Sequence, residues 1–113
     1  MSSKQSIADF VIEQIENAGA VSARKMFGEY GVFCNGKMVG LICDDQFFVR
    51  YTITGKTYIG EVTEVPPYKG AKPYILIDGE NLEDSEWLTK LIKITVAELP
   101  IPKKKPKKKK KNI

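Results

Sequence analysis

Val32-Phe33-Cys34-Asn35-Gly36-Lys37-Met38-Val39-Gly40-Leu41-Ile42-Cys43-Asp44-Asp45-Gln46-Phe47-Phe48-Val49-Arg50-Tyr51 reads as three short strands joined by two tight turns. Asn35-Gly36 is the dipeptide best suited to a type I′ hairpin turn, whose two central residues both need positive φ. Asp44-Asp45 supplies the second turn, since Asp also tolerates that region. Apolar and β-branched residues fill the runs between them. The stretch predicts an antiparallel meander, and the rest of the chain is read around it.

Two-residue loops at both turns set the register: Cys34 faces Lys37, Phe33 faces Met38, Cys43 faces Gln46 and Ile42 faces Phe47. Side chains alternate between the two faces of a sheet. Unbroken alternation places Phe33, Met38, Gly40, Ile42, Phe47, Val49 and Tyr51 on one face, apolar throughout and expected to pack on helices. The other face collects Val32, Cys34, Lys37, Val39, Leu41, Cys43, Gln46, Phe48 and Arg50, polar at its ends and apolar at its centre. That centre, Val39, Leu41 and Phe48, is a candidate surface for a protein partner or a second copy. Gly40, in mid-strand, predicts a close helix contact or a bulge.

Outward from the meander, Ser6 to Gly19 carries Ile7, Phe10, Val11, Ile15 and Ala18 at helical spacing, with Gly19 suited to end the helix. Val21 to Met26 reads as a short strand. Residues 51–72 read as a loop with a short helical turn near 55–60. Pro73 to Ile77 reads as a strand whose proline marks its start or an edge, and Asp78-Gly79 as a turn. A last helix begins after Asp84, which caps it, and runs to Leu99 with Leu88, Leu91, Ile92, Val96 and Leu99 on its buried side. Pro100 stops it.

These residues resemble the N-terminal domain of the TfoX/Sxy family of bacterial competence regulators. The resemblance is carried by Arg24-Lys25-Met26-Phe27-Gly28-Glu29-Tyr30-Gly31, the hairpin that follows, Leu41-Ile42-Cys43-Asp44-Asp45, and a strand ending in Arg50; Pro67-Tyr68 and Pro73-Tyr74 support it. It spans about residues 6–99. It implies a two-layer α+β fold, secretion-chaperone-like, with an antiparallel sheet and the N- and C-terminal helices on one face. Full-length members carry a second, helical domain. Here a lysine run follows, so the expectation is a stand-alone domain over 1–100 and a disordered tail over 101–113.

Charge divides the chain in the same place. Lys103, Lys104, Lys105, Lys107, Lys108, Lys109, Lys110 and Lys111 hold eight of the 18 basic side chains; the other ten stand against 14 acidic ones, so a body of net −4 carries a strongly basic segment. The overall basic balance is therefore no sign that the folded part binds nucleic acid. The lysines are candidates for non-specific DNA or RNA contact through phosphates; with no arginine fork or aromatic platform they cannot read bases. The bland alternative is a solubilising tail. No apolar run is long enough to insert in a membrane, and the acidic residues Asp9, Glu13 and Glu16 near the start do not suit an export signal, so a cytoplasmic protein is expected.

The chain has no histidine, which excludes Ser-His-Asp and Cys-His catalysis and imidazole metal sites. Cys34 and Cys43, about 20 Å apart along one face in the register above, are read as reduced thiols out of disulfide reach. Gly55-Lys56-Thr57 matches the end of a phosphate-binding loop by chance, because Arg50 stands where its first glycine belongs. Met26 to Gly31 is a candidate partner-docking surface, but the stronger reading is structural, with two glycines making a bend and Met26 and Phe27 filling core. The reading is a non-enzymatic regulatory or adaptor domain, without cofactor, monomeric or homodimeric, that meets a protein partner. Its rival is a small ligand-binding domain or enzyme with a pocket near Tyr68, Lys69 and Tyr74.

Overall fold

The computed structural model describes residues 5–100. Their order is α1 (Gln5–Ile15), a 3-10 turn (Glu16–Ala18), β1 (Val21–Met26), β2 (Glu29–Cys34), β3 (Lys37–Cys43), β4 (Gln46–Val49), α2 (Ile53–Ile59), β5 (Glu64–Val65), β6 (Tyr74–Leu76), α3 (Gly79–Leu82) and α4 (Ser85–Glu98). The six strands form one antiparallel sheet in the order β1-β2-β3-β4-β6-β5. This is the expected α+β fold, with α1 and α4 packed together over one face of the sheet.

The meander forms with the expected turns. Asn35 and Gly36 have φ of 54° and 83°, and Asp44 and Asp45 have 53° and 60°. Asn35 also ties the hairpin to the end of the first helix: its backbone N–H donates to the Ala20 carbonyl, and its side-chain oxygen accepts from the Ala20 N–H, both at 2.9 Å. The last helix starts where Asp84 was expected to cap it, the carboxylate accepting from the Trp87 N–H. Pro73 stands just before β6, at a strand start; β6 itself lies inside the sheet. Two elements were not anticipated, the two-residue strand β5 and the four-residue helix α3, which Asp78 caps.

The faces of the sheet differ from unbroken alternation, and a bulge is the reason. Phe33 pairs with Met38 but Val32 pairs with Gly40, so Val39 is the extra residue on β3. One extra residue exchanges the faces of everything beyond it. Val32, Cys34 and Val39 accordingly join Ile42, Phe47 and Val49 in the helix-side core, with Leu88, Leu91 and Ile92 of α4. Leu41, Cys43 and Phe48 lie on the other face with Met38. Val39 is thus buried under the helices and does not share a surface with Leu41 and Phe48, as had been expected. The cysteines, both free and buried, fall on opposite faces of the sheet rather than on one. Lys37 reaches the helix side, where its ammonium donates to the carbonyls of Val96 (3.0 Å) and Leu99 (2.9 Å) at the end of α4. Tyr51, placed with the apolar face, lies beyond β4 and is exposed.

Helix α2 is fastened to α4 at its first turn. Thr52 caps it, its hydroxyl accepting from the Gly55 N–H. The Glu98 carboxylate accepts from the N–H groups of Ile53 (3.0 Å) and Thr54 (2.9 Å) and from the Thr54 hydroxyl (2.6 Å). These bonds, the Thr54 hydroxyl first, hold the Glu98 carboxyl below its ordinary value. A group whose pKa is depressed by folding stabilises the protein above its unfolded pKa, and that stability is lost as pH falls through the folded one. Glu98→Gln is therefore expected to melt at a lower temperature than the wild type at neutral pH. The gap should close as pH falls below about 4.5. Thermal melts of both proteins from pH 7 to pH 3 check this, and a gap independent of pH would refute it.

Candidate functional site

Among the described residues, no helix packs on the face of the sheet away from α1 and α4. Its buried centre is Leu41, Cys43 and Phe48, against which Met38, Val65, Tyr74 and Leu76 pack. Pro67 and Tyr68, on the connection from β5 to β6, border it. Between them lies a cleft of about 540 Å³ lined by Met26, Phe27, Glu29, Tyr30, Met38, Leu41, Cys43, Pro67, Tyr68 and Tyr74.

Three local features build it. The first is the β1–β2 turn. Met26 pairs with Glu29, leaving Phe27-Gly28 as a two-residue loop with φ of 51° and 82°. Positive φ is costly for a bulky side chain, and Phe27 stands fully exposed, at 101% of its reference area. The expectation that Phe27 fills core is overturned, because a two-residue loop carries it past the end of both strands. The second feature is Gly31. The site of its missing Cβ is 2.8 Å from the Met26 sulfur, 3.2 Å from the Phe33 ring and 3.5 Å from the Met38 sulfur. Two adaptable thioethers thus lie on bare backbone. The third is the β5–β6 connection, which brings Tyr68 and Tyr74 to one rim.

The cleft is apolar with a few polar groups. Its charged lining residue is Glu29, whose carboxylate accepts from the Asp44 N–H at 3.3 Å. Burial, with Glu29 and Asp44 adding to it, pushes the Cys43 thiol up, so it stays protonated and is a poor nucleophile. Burial also raises the Tyr74 phenol, against an opposing pull from Arg50, and keeps its hydroxyl a donor. Among the described residues no group of three or more acidic, cysteine or histidine side chains is placed to hold a metal ion. The arrangement is suited to holding apolar and aromatic groups, with hydroxyls and one carboxylate to orient them.

Of the residues singled out in the sequence, Leu41, Tyr68 and Tyr74 meet in this cleft. Phe48 lies on the same face outside it, and Lys69 does not line it. Gly55, Lys56 and Thr57 lie within α2. Lys103, Lys104, Lys105 and Lys107 to Lys111 lie outside the described residues. Met26, Phe27 and Glu29 belong to the segment weighed as a docking surface but read as structural, and Met38 was placed on the face expected to pack on helices; all four line the cleft. The signal for them was available: a glycine in the second position of a two-residue gap between strands, with an aromatic in the first. A second hollow of about 430 Å³, bordered by Asn17, Ser85, Thr89 and Lys90, is structural in part. Its Ser85 and Thr89 hydroxyls donate to the Gln14 carbonyl, joining α4 to α1.

Fold and site together define a small α+β domain with helices on one sheet face and a recognition-sized cleft on the other. The chain belongs to the TfoX N-terminal domain family, whose model matches residues 13–99. It is also similar to a protein of Spirochaeta aurantia described as an uncharacterized 12.7 kDa protein in the trpE 5′ region. The two are 33% identical over 103 residues, covering 91% of this chain and 89% of that one. No helix among the described residues is long and apolar enough to cross a membrane.

Proposed function

We propose that this chain is a non-enzymatic regulatory or adaptor domain, related to competence regulators, that works in the cytoplasm by protein contact at the open-face cleft. The observation that carries this reading is Phe27, held fully exposed at positive φ at the mouth of an apolar cleft. A strained, solvent-facing aromatic has a cost in the free domain that contact with a partner would offset. Residues 103–111 add a second, electrostatic attachment. Their eight lysines draw phosphates of DNA or RNA to an otherwise acidic body without reading sequence.

The division of labour is tested by binding of DNA and RNA across a salt series, using the full chain and a chain ending at residue 102. The full chain is expected to bind with log affinity falling against log salt by roughly 0.9 per phosphate contacted, and the shortened chain is expected not to bind. Equal binding by both would refute it. A second reading is favoured by one observation: Tyr68 and Tyr74 do border a cleft whose volume falls in the range of small-molecule sites, about 300–1,000 Å³. In that reading the domain binds an apolar ligand. A small apolar compound that raises the melting temperature in proportion to the logarithm of its concentration would support it.

A further inference from the structure

We propose that the free edge of the sheet, strand β1, is a second docking surface, which takes an extended acidic segment of a protein partner as an added strand. It is separate from the cleft, and the cleft reading stands or falls without it. β1 is the first strand in the sheet order, and among the described residues no strand lies beyond it. Just before β1, Ala20 turns its backbone towards Asn35 in the β2–β3 turn, its N–H donating to the Asn35 side chain and its carbonyl accepting from the Asn35 N–H. At the other end, Met26 and Glu29 close the two-residue loop, which turns the Met26 carbonyl towards β2. Backbone groups point alternately to the two sides of an antiparallel strand. Both ends therefore agree: Ser22, Arg24 and Met26 bond to β2, and Val21, Ala23 and Lys25 turn their N–H and C=O groups outward. Among the described residues those outward groups have no hydrogen-bond partner.

Side chains decide what fits this ladder. Arg24 lies on the open face, its guanidinium 5.4 Å from the Phe33 ring, and Lys25 projects to the helix side. Both are exposed, and among the described residues neither is in an ion pair. The only acid on β1 or β2 is Glu29, on the inner strand opposite Met26. Val21 and Ala23 are half-buried on the helix side, at the margin of the core. A strand added antiparallel, like every other pairing in this sheet, meets Lys25, Arg24, Ala23, Ser22 and Val21 in that order. Its complement is acid, acid, apolar, any residue, apolar. The acids are consecutive because the two cations point to opposite faces; the apolar residues are two apart because Val21 and Ala23 share one face. A second β1 fits worse, since it would gather four cations on two adjacent strands, and charges on an edge discourage such pairing. Residues 101–113 hold no acidic side chain and fit no better. In strand addition main-chain bonds supply affinity and alternate side chains supply selectivity.

The test is fluorescence anisotropy of a labelled peptide, Gly-Thr-Asp-Glu-Val-Thr-Val-Thr-Gly, titrated with the full chain at physiological salt. Its first valine, set opposite Ala23, turns its N–H to β1, and the threonine after it turns its N–H away. Methylating that valine nitrogen is expected to weaken binding about tenfold, the scale of one lost hydrogen bond whose acceptor is left unpaired. Methylating the threonine nitrogen should leave binding within about twofold, since its N–H takes no part in the ladder. Ala23→Pro removes an outward donor and no bond within the sheet, so it should melt close to wild type while weakening binding about tenfold. Arg24→Thr with Lys25→Thr, at two exposed positions, should weaken it about fivefold, the scale of two exposed ion pairs. A peptide that fails to bind at millimolar concentration overturns the proposal, as does equal loss from the two methylations. Binding untouched by both β1 variants overturns it too, and would place the peptide on the lysine segment. Concentration-dependent dimerisation in sedimentation velocity that Ala23→Pro abolishes would make the occupant a second copy, and equally overturn it.

Discussion

Phe47→Ala is expected to remove about 3–5 kcal/mol of stability, the usual cost of emptying the space of a buried phenylalanine. The Phe47 side chain is 1% exposed and belongs to the core that also holds Ile42 and Val49 of the sheet and Leu88, Leu91 and Ile92 of α4. Its neighbours are held by strand pairing on one side and helix packing on the other, so they cannot close the cavity fully. In a domain of this length each kcal/mol moves the melting temperature by about 4–8 °C. Total stabilities of such domains are about 5–15 kcal/mol, so the loss is a large share. Urea unfolding followed by circular dichroism measures it directly. A midpoint within about 1 kcal/mol of wild type, at unchanged slope, would show that Phe47 is not the keystone of this layer.

Gly40→Ala is expected to have the next largest effect, and by the opposite mechanism. A Cβ at position 40 would press on the Phe48 carbonyl oxygen, inside the separation that real Cβ atoms keep, and would touch the Phe47 ring at 3.0 Å. The ring could yield; the carbonyl belongs to the backbone of β4 and cannot. Overpacking of this kind costs typically about 1–3 kcal/mol, and an immovable neighbour argues for the upper end. The strain falls at the bulge where β3 changes its faces, so a shift in strand register would relieve it. Gly40→Ala is therefore expected to loosen hydrogen-exchange protection in β3 and β4 before it unfolds α4. Uniform loss of protection across the domain would contradict that picture.

The same bulge marks how far the sequence could be read. Asn35-Gly36, Asp44-Asp45 and the Asp84 cap are short-range signals that depend on a few residues and their own backbone, and each formed as expected. Gly40 was read as marking either a close helix contact or a bulge, yet faces were assigned as though β3 alternated without interruption. A bulge is decided by pairing with the neighbouring strand, and one unpaired Val39 was enough to send Cys34, Val32 and Val39 beneath the helices. The candidate site was half legible for a related reason. Tyr68, Tyr74 and Leu41 were singled out separately, as a rival pocket and as a sheet surface, and only the third dimension puts them in one cleft. Phe27 was misread because hydrophobicity argues for burial, whereas a two-residue turn leaves no interior for its first side chain to enter. The lone polar residue deepest in α4, Thr95, gave no signal either. Its hydroxyl donates to the Leu91 carbonyl at 2.8 Å and so needs no partner from outside the helix.

Lys37 fixes more than the end of a helix. By holding the carbonyls of Val96 and Leu99 it anchors the point where the chain leaves the described domain beside the Asn35-Gly36 turn. Cys43, at the cleft, stands six residues away along β3, about 20 Å at strand rise and on the opposite face. The described chain thus ends on the back of the plate whose front carries the cleft. Under the proposed function, a protein held at the front and a polyanion met by the lysines that follow residue 100 in sequence would not compete for one surface. Each would raise the local concentration of the other's target, so that the domain would act as a bivalent coupler.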